Sequence, residues 1–215
     1  MCIRDRCRRF TQIRVPTEAN AAESNLEPQD YIQRMNKAYN IDYEMVKKAC
    51  EHETKRFAGA KKVTVYTGTD CVLSLDLTGR TWHIDAGDGD LPCGEIYIAP
   101  IENRTNGTVF FDTFYLDGMK FTNVTLQILD GQVSGSSSPE IAKYFSEQPL
   151  ENRIVCELGM GMNPNVTDLC GYTVLDEKMM GTFHIAVGAN DMFGGQNKAS
   201  DHIDFVGYGK VEVVV

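Results

Sequence analysis

Two hydrophobic periods divide the chain. Between Pro28 and Ala58 apolar residues recur at helical spacing: Tyr31, Met35 and Ala38 in one stretch, then Val46, Ala49, Cys50 and Phe57 in a second that begins at Ile41. Pro28 suits a first helical turn and Gly59 a stop. From Val63 onward the period is two. Runs at 63–66, 71–75, 80–83, 94–99, 108–113, 124–129, 132–136, 153–158, 182–187, 202–206 and 210–215 predict short strands separated by Gly and Asp turns. Asp130-Gly131 predicts a tight hairpin, and Ser138-Pro139-Glu140 opens a short helix running to Phe145. Helices first and strands afterwards predict an α+β fold, N-terminal helices followed by a β-rich mixed-sheet domain, rather than alternating βαβ units. The segments are a basic extension over 1–14 outside the fold, a helical remnant of an N-terminal region over 15–60, and the β-rich domain over 61–215. Val211-Glu-Val-Val-Val215 ends without a turn residue, which predicts truncation of that domain at its C-terminus.

Charge sharpens the first boundary. Residues 1–14 hold five Arg against one Asp, and the remainder holds 16 basic and 29 acidic side chains, a net of −13. The opening is no secretory signal, because no apolar stretch follows the arginines, and it reads as a cloning or assembly remnant. The overall formal charge of −9 argues against nucleic acid or an anionic membrane as main partner, since both need a basic face. No apolar run approaches the roughly 18 residues of a membrane helix. Seven widely spaced Cys without a C-x-x-C pattern predict reduced thiols and a cytoplasmic setting.

Four His carry what chemistry the text shows. His52 lies among charges on a helix face, and His83 follows Trp82 in a short strand; a solvated face and ordinary packing account for them. In a strand, His202 and Asp204 point to one side while Ile203 and Phe205 point to the other. They can converge on one ion, although a plain His–Asp hydrogen bond is the commoner outcome. His184 alternates with Phe183, Ile185 and Val187 and stands beside small Ala186. Glu157 lies inside an otherwise apolar strand, where a lone carboxylate costs several kcal/mol unless a metal or a buried cation compensates it; Lys and Arg are scarce near it in the sequence. Glu95 opens another apolar strand after a Pro/Gly turn. Glu95, Glu157 and Asp204 sum to −3, which two divalent ions and one hydroxide bring to zero. Asp85, Asp88 and Asp90 fail the spacing of a calcium loop and read as a turn leading toward Glu95.

The ordered set Pro92-x-Gly94-Glu95, Tyr97-x-Ala99-Pro100, Glu157-Leu-Gly-x-Gly-x-Asn163-Pro164, Gly181-Thr-x-His184-Ile-Ala-x-Gly188, Gly194-Gly195-x-Asn197 and His202-x-Asp204 resembles the thermophilic metallo-aminopeptidase family of aminopeptidases T and S, over roughly residues 60–210. The resemblance implies a two-metal exopeptidase that removes N-terminal residues from peptides. It implies Glu95, Glu157, His184, His202 and Asp204 as metal ligands, with Glu157 as a bridge. It also implies Glu157 or Glu177 as proton carrier, Zn, Co or Mn as the ions, and a homodimer. Asp191, seven residues past His184, stands where the family carries Tyr; as a loop Asp it is either a plain surface charge or a partner for a substrate ammonium. Two rival readings stand beside this one. His184, His202 and Asp204 alone form the 2-His-1-carboxylate pattern of a mononuclear Fe(II) ring-cleaving dioxygenase, and a non-catalytic metal-binding domain needs no turnover at all.

Overall fold

The computed structural model describes residues 11–214; residues 1–10, most of the basic extension, and Val215 lie outside the described residues. The order is β1 (Gln12–Ile13), α1 (Glu18–Ser24), α2 (Pro28–Tyr39), α3 (Tyr43–Arg56), β2 (Lys62–Thr67), β3 (Cys71–Asp76), β4 (His83–Asp85), β5 (Asp90–Leu91), β6 (Glu95–Ile98), β7 (Thr105–Leu116), β8 (Met119–Leu129), β9 (Gln132–Ser136), α4 (Pro139–Glu147), β10 (Val155–Gly161), α5 (Thr173–Asp176), β11 (Phe183–Gly188), β12 (His202–Gly207) and β13 (Lys210–Val213). This is the α+β class the two periods predict. Among the described residues no helix is long and apolar enough to cross a membrane.

Local chemistry sets the helix ends. Asp42 caps α3 by accepting from the Met45 amide at 3.0 Å, and Ser138 caps α4, followed by Pro139 at its first position. Helix α1 escapes the periodicity argument because its sequence, EANAAES, contains no large apolar residue. The β7–β8 hairpin is longer than the sequence runs suggest. Its turn, Asp117-Gly118, has φ of +49° and +74°, and Asp130-Gly131 at the β8–β9 turn has +48° and +80°; two consecutive left-handed residues are what a tight primed turn requires.

Two antiparallel sheets pack face to face. One has the order β13-β2-β3-β7-β8-β9 and the other β12-β11-β10-β6-β4. Among the described strands β1 and β5 pair in parallel, and an isolated parallel bridge joins Asn163 to Met179. Val65, Leu73, Val109, Phe111 and Leu126 from the first sheet meet Ile96, Ile98, Leu158, Ile185 and Phe205 from the second in a single apolar core, which α4 closes with Ile141 and Phe145. A smaller cluster joins α1 and α2 to the β10–β11 connection through Tyr31, Met35, Tyr172, Leu175 and Met179. The expectation that residues 1–14 stand outside the fold needs correction within the described stretch. Gln12 and Ile13 pair with Asp90 and Leu91, and the Arg14 carbonyl accepts from the Tyr39 hydroxyl at 2.7 Å. Residues 12–14 make these contacts through their main chain, so no side-chain pattern in that stretch announces them.

Candidate metal centre

The face of the five-stranded sheet turned away from the core carries the polar residues. Strand register aligns Asp85 with Glu95 and Glu95 with Gly161. It sets Tyr97 beside Gly159 and Gly159 beside His184. It also pairs Glu157 with Ala186, Ala186 with Asp204, and Gly188 with His202. Small residues therefore alternate with ligand-type residues across the sheet. Gly159 has a steric reason: a Cβ there would lie 2.0 Å from His184 Nε2, so the imidazole rests on bare backbone. Glu157 reaches this face through a β-bulge. Val155 opposes Val187 and Glu157 opposes Ala186, with Cys156 as the additional residue. Val155 thereby packs into the core while Glu157 and Gly159 face the site.

All five predicted side chains converge. Glu95, Glu157 and His184 form one group whose ligand atoms lie within 4.8 Å of one another, and Glu157, His202 and Asp204 form a second. The two oxygens of Glu157 are divided between the groups: Oε1 is 3.2 Å from His184 Nε2 and Oε2 is 3.6 Å from His202 Nε2. Glu95 Oε2 is 3.5 Å from His184 Nε2, and Asp204 Oδ1 is 3.6 Å from His202 Nε2. Glu95 Oε2 and Asp204 Oδ1 are both buried without a hydrogen-bond partner. One unsatisfied carboxylate oxygen in each group, beside an imidazole nitrogen, is a donor set that suits a divalent cation. His202 Nδ1 lies 2.8 Å from the Ala189 carbonyl, which fixes the proton on Nδ1 and directs Nε2 inward. His184 Nδ1 is buried and has no such partner.

Electrostatics follow from this crowding. Burial pushes the Glu95 carboxyl above the usual range, against the pull of Lys178. Burial disfavours charge on His184, but Glu157, Glu95 and Asp204 outweigh it and raise its pKa to about 9. The same balance, led by Asp204, raises His202. Protons on the imidazoles thus offset carboxylate charge in the metal-free chain, and a bound cation would take their place.

Lys178 brings a buried cation to Glu95 that its sequence neighbourhood does not announce. It is 1% exposed, bonds Glu95 Oε1, lies 2.8 Å from Glu177 Oε1 and stands 3.7 Å from Asp85 Oδ2. Its proximity is spatial: Glu95 and Lys178 are 83 residues apart. Of the acidic pair before His184, Asp176 accepts from the Cys170 and Gly171 amides, and Glu177 faces Lys178. Asp191 is exposed at the start of a 3-10 turn spanning Asp191–Phe193.

Other motif residues act as clamps. Asn163 Nδ2 donates to the carbonyls of Ala38 (3.0 Å) and Cys93 (2.8 Å), tying α2 to the turn before Glu95. Asn197 Nδ2 donates to Gly188 O at 2.7 Å. Glu102 accepts from the Gln196 amide at 2.6 Å, from Asn190 Nδ2 at 3.2 Å and from Arg80 at 2.7 Å, which draws the 188–197 loop across the sheet. On that loop Phe193 packs edge-on to Tyr97 and His202, with centroids 5.5 and 6.0 Å apart. His83 stacks on Tyr97 at 5.2 Å, in keeping with a packing role. The five described cysteines, Cys50, Cys71, Cys93, Cys156 and Cys170, are free thiols.

Two such donor groups on one face of an α+β sandwich make a candidate metal centre. The chain belongs to the thermophilic metalloprotease (M29) family, whose model matches residues 3–206. Its fold is similar to wild-type AmpT from Thermus thermophilus, with a TM-score of 0.68 at 18% identity over 94% of this chain and 62% of that one. It is also similar to a 2,5-dihydroxypyridine dioxygenase from Pseudomonas putida KT2440, with a TM-score of 0.67 at 15% identity over 87% of this chain and 59% of that one. The chain thus spans less than two thirds of either structure's length. No curated protein matches the sequence.

Proposed function

We propose that this chain carries the metal centre of an aminopeptidase that hydrolyses N-terminal residues from peptides. One observation carries the reading: the two Glu157 oxygens face different histidines, each in a group with a buried carboxylate oxygen that has no hydrogen-bond partner. Glu95, Glu157 and His184 would hold an inner cation, and Glu157, His202 and Asp204 an outer one. Charge supports two. Asp85, Glu95, Glu157, Glu177 and Asp204 with Lys178 total −4, which two divalent ions neutralise. When bound, divalent ions of the Zn, Co or Mn class lower the pKa of a shared water and polarise the scissile carbonyl.

The chain's own residues supply the rest. Glu157 would be taken up as a ligand shared by the two groups, so Glu177 is the better candidate for a proton carrier. Its Oε1 is held by Lys178 Nζ, and its other oxygen would be the one to carry a proton from water to the leaving amine. Peptide substrates, a homodimer and a cytoplasmic setting complete this reading. AmpT's fold and the family support it. The mononuclear alternative needs His184, His202 and Asp204 around one ion, whereas the described groups divide His184 from His202 and Asp204.

The test is hydrolysis of a panel of aminoacyl-nitroanilides by chelated and metal-reloaded protein. Activity that vanishes with chelation and returns with Co²⁺, Mn²⁺ or Zn²⁺ supports the proposal. Metal-loaded protein that consumes O₂ with a dihydroxypyridine and leaves every amide intact overturns it.

A further inference from the structure

No ligand role falls to Lys178, yet its ammonium is buried against three carboxylates. Its backbone is pinned on both sides: the amide donates to Leu175 O at 3.0 Å, and the carbonyl accepts from the Asn163 amide at 2.8 Å. Asn163 also donates through Nδ2 to Cys93 O, two residues before Glu95. The Lys178 backbone and the turn before Glu95 are therefore anchored to the same asparagine. The two Glu95 oxygens differ. Oε1 is bonded to Lys178 Nζ, while Oε2 has no hydrogen-bond partner and faces His184 Nε2 at 3.5 Å. A free carboxylate can chelate an ion with both oxygens or turn away from it. One whose first oxygen is held by an ammonium offers only the second.

We propose that Lys178 is a positioning residue that fixes Glu95 as a one-oxygen ligand, through Oε2, for the inner cation. The inference rests on the metal centre proposed above. It makes the two cation positions unequal, since the ion-pair partners of Glu157 and Asp204 among the described residues are histidines alone.

The experiment is a Co²⁺ titration of wild-type protein and Lys178→Met, followed by dialysis and by the visible spectrum of bound Co²⁺. Wild type should take up two ions. Lys178→Met should keep the outer ion at wild-type affinity and bind the inner one about 10–100-fold more weakly, the usual loss when a ligand's supporting partner is removed. Lys178→Arg should recover part of the loss. Charge alone predicts the opposite sign, because deleting an ammonium favours a neighbouring cation. Unchanged or tighter inner binding in Lys178→Met overturns the proposal while leaving the centre standing. Wild type that binds no Co²⁺ overturns both. If circular dichroism shows Lys178→Met unfolded, a crystal structure of Co²⁺-loaded wild type decides. Coordination by Glu95 Oε2 alone with Oε1 on Lys178 supports the proposal; bidentate Glu95, or Nζ turned away, overturns it.

Discussion

Glu95 and His184 sit on interior strands β6 and β11, buried, with Lys178 on one side and bare Gly159 beneath the imidazole. His202 and Asp204 sit on β12, the edge of the same sheet, and the His202 side chain is 33% exposed. Packing and a buried charge shape the inner half. The outer half is shaped by one backbone carbonyl, that of Ala189, and by the loop that Glu102 draws over it. Both use Glu157. The contrast teaches that an inner change should disturb packing and metal binding together, whereas an outer change should act mainly through charge and metal binding.

The strongest way to break this contrast is Gly159→Ala. Its methyl would meet His184 Nε2 at 2.0 Å with no room to yield. We expect the inner ion to be lost and stability to fall by about 1–3 kcal/mol, the usual cost of an overpacked site. Denaturant unfolding and metal analysis of the same sample check both. A variant that keeps two ions would show that the imidazole has space the structure denies it.

His202→Ala is the outer counterpart. The outer ion should be weakened or lost and the inner one retained. Loss of both ions together would mean that the halves are not separable.

The smallest effect lies at the loop clamp. Burial works against ionisation of Glu102, but the Gln196 amide, Arg80 and Asn190 prevail and hold its carboxyl below the usual range. A carboxylate whose folded pKa is depressed adds stability above the unfolded value, and that contribution falls away as pH drops below the unfolded value and through the lower, folded one. Glu102→Gln should therefore cost about 1–2 kcal/mol near neutral pH, and the difference from wild type should shrink on acidification to about pH 4. Unfolding curves at the two pH values would contradict this if the difference stayed constant.

The outer pair was the more legible half. His202 and Asp204 follow strict alternation, with Ile203 and Phe205 facing the other way. Glu157 was visible as a lone carboxylate in an apolar strand, but not the bulge at Cys156 that turns it to the site, because a bulge changes pairing and leaves composition untouched. Lys178 stood in an acid-rich run that reads as a solvated turn. Its burial depends on Met179 and Leu175 packing against α2, a tertiary contact with no local signature. The Glu102–Arg80 clamp was likewise hidden, since its partners come from three separate segments. The runs at 108–113 and 124–129 cover only part of β7 and β8, which continue through Phe114-Tyr115-Leu116 and Met119 to the Asp117-Gly118 turn.

The count of metal ions per chain bears most directly on the central claim. Wild-type protein equilibrated with Co²⁺, Mn²⁺ or Zn²⁺, dialysed and analysed by mass spectrometry should retain close to two ions. Retention of none, or of a single ion that survives removal of the Glu157 carboxylate, would contradict a centre shared through that residue.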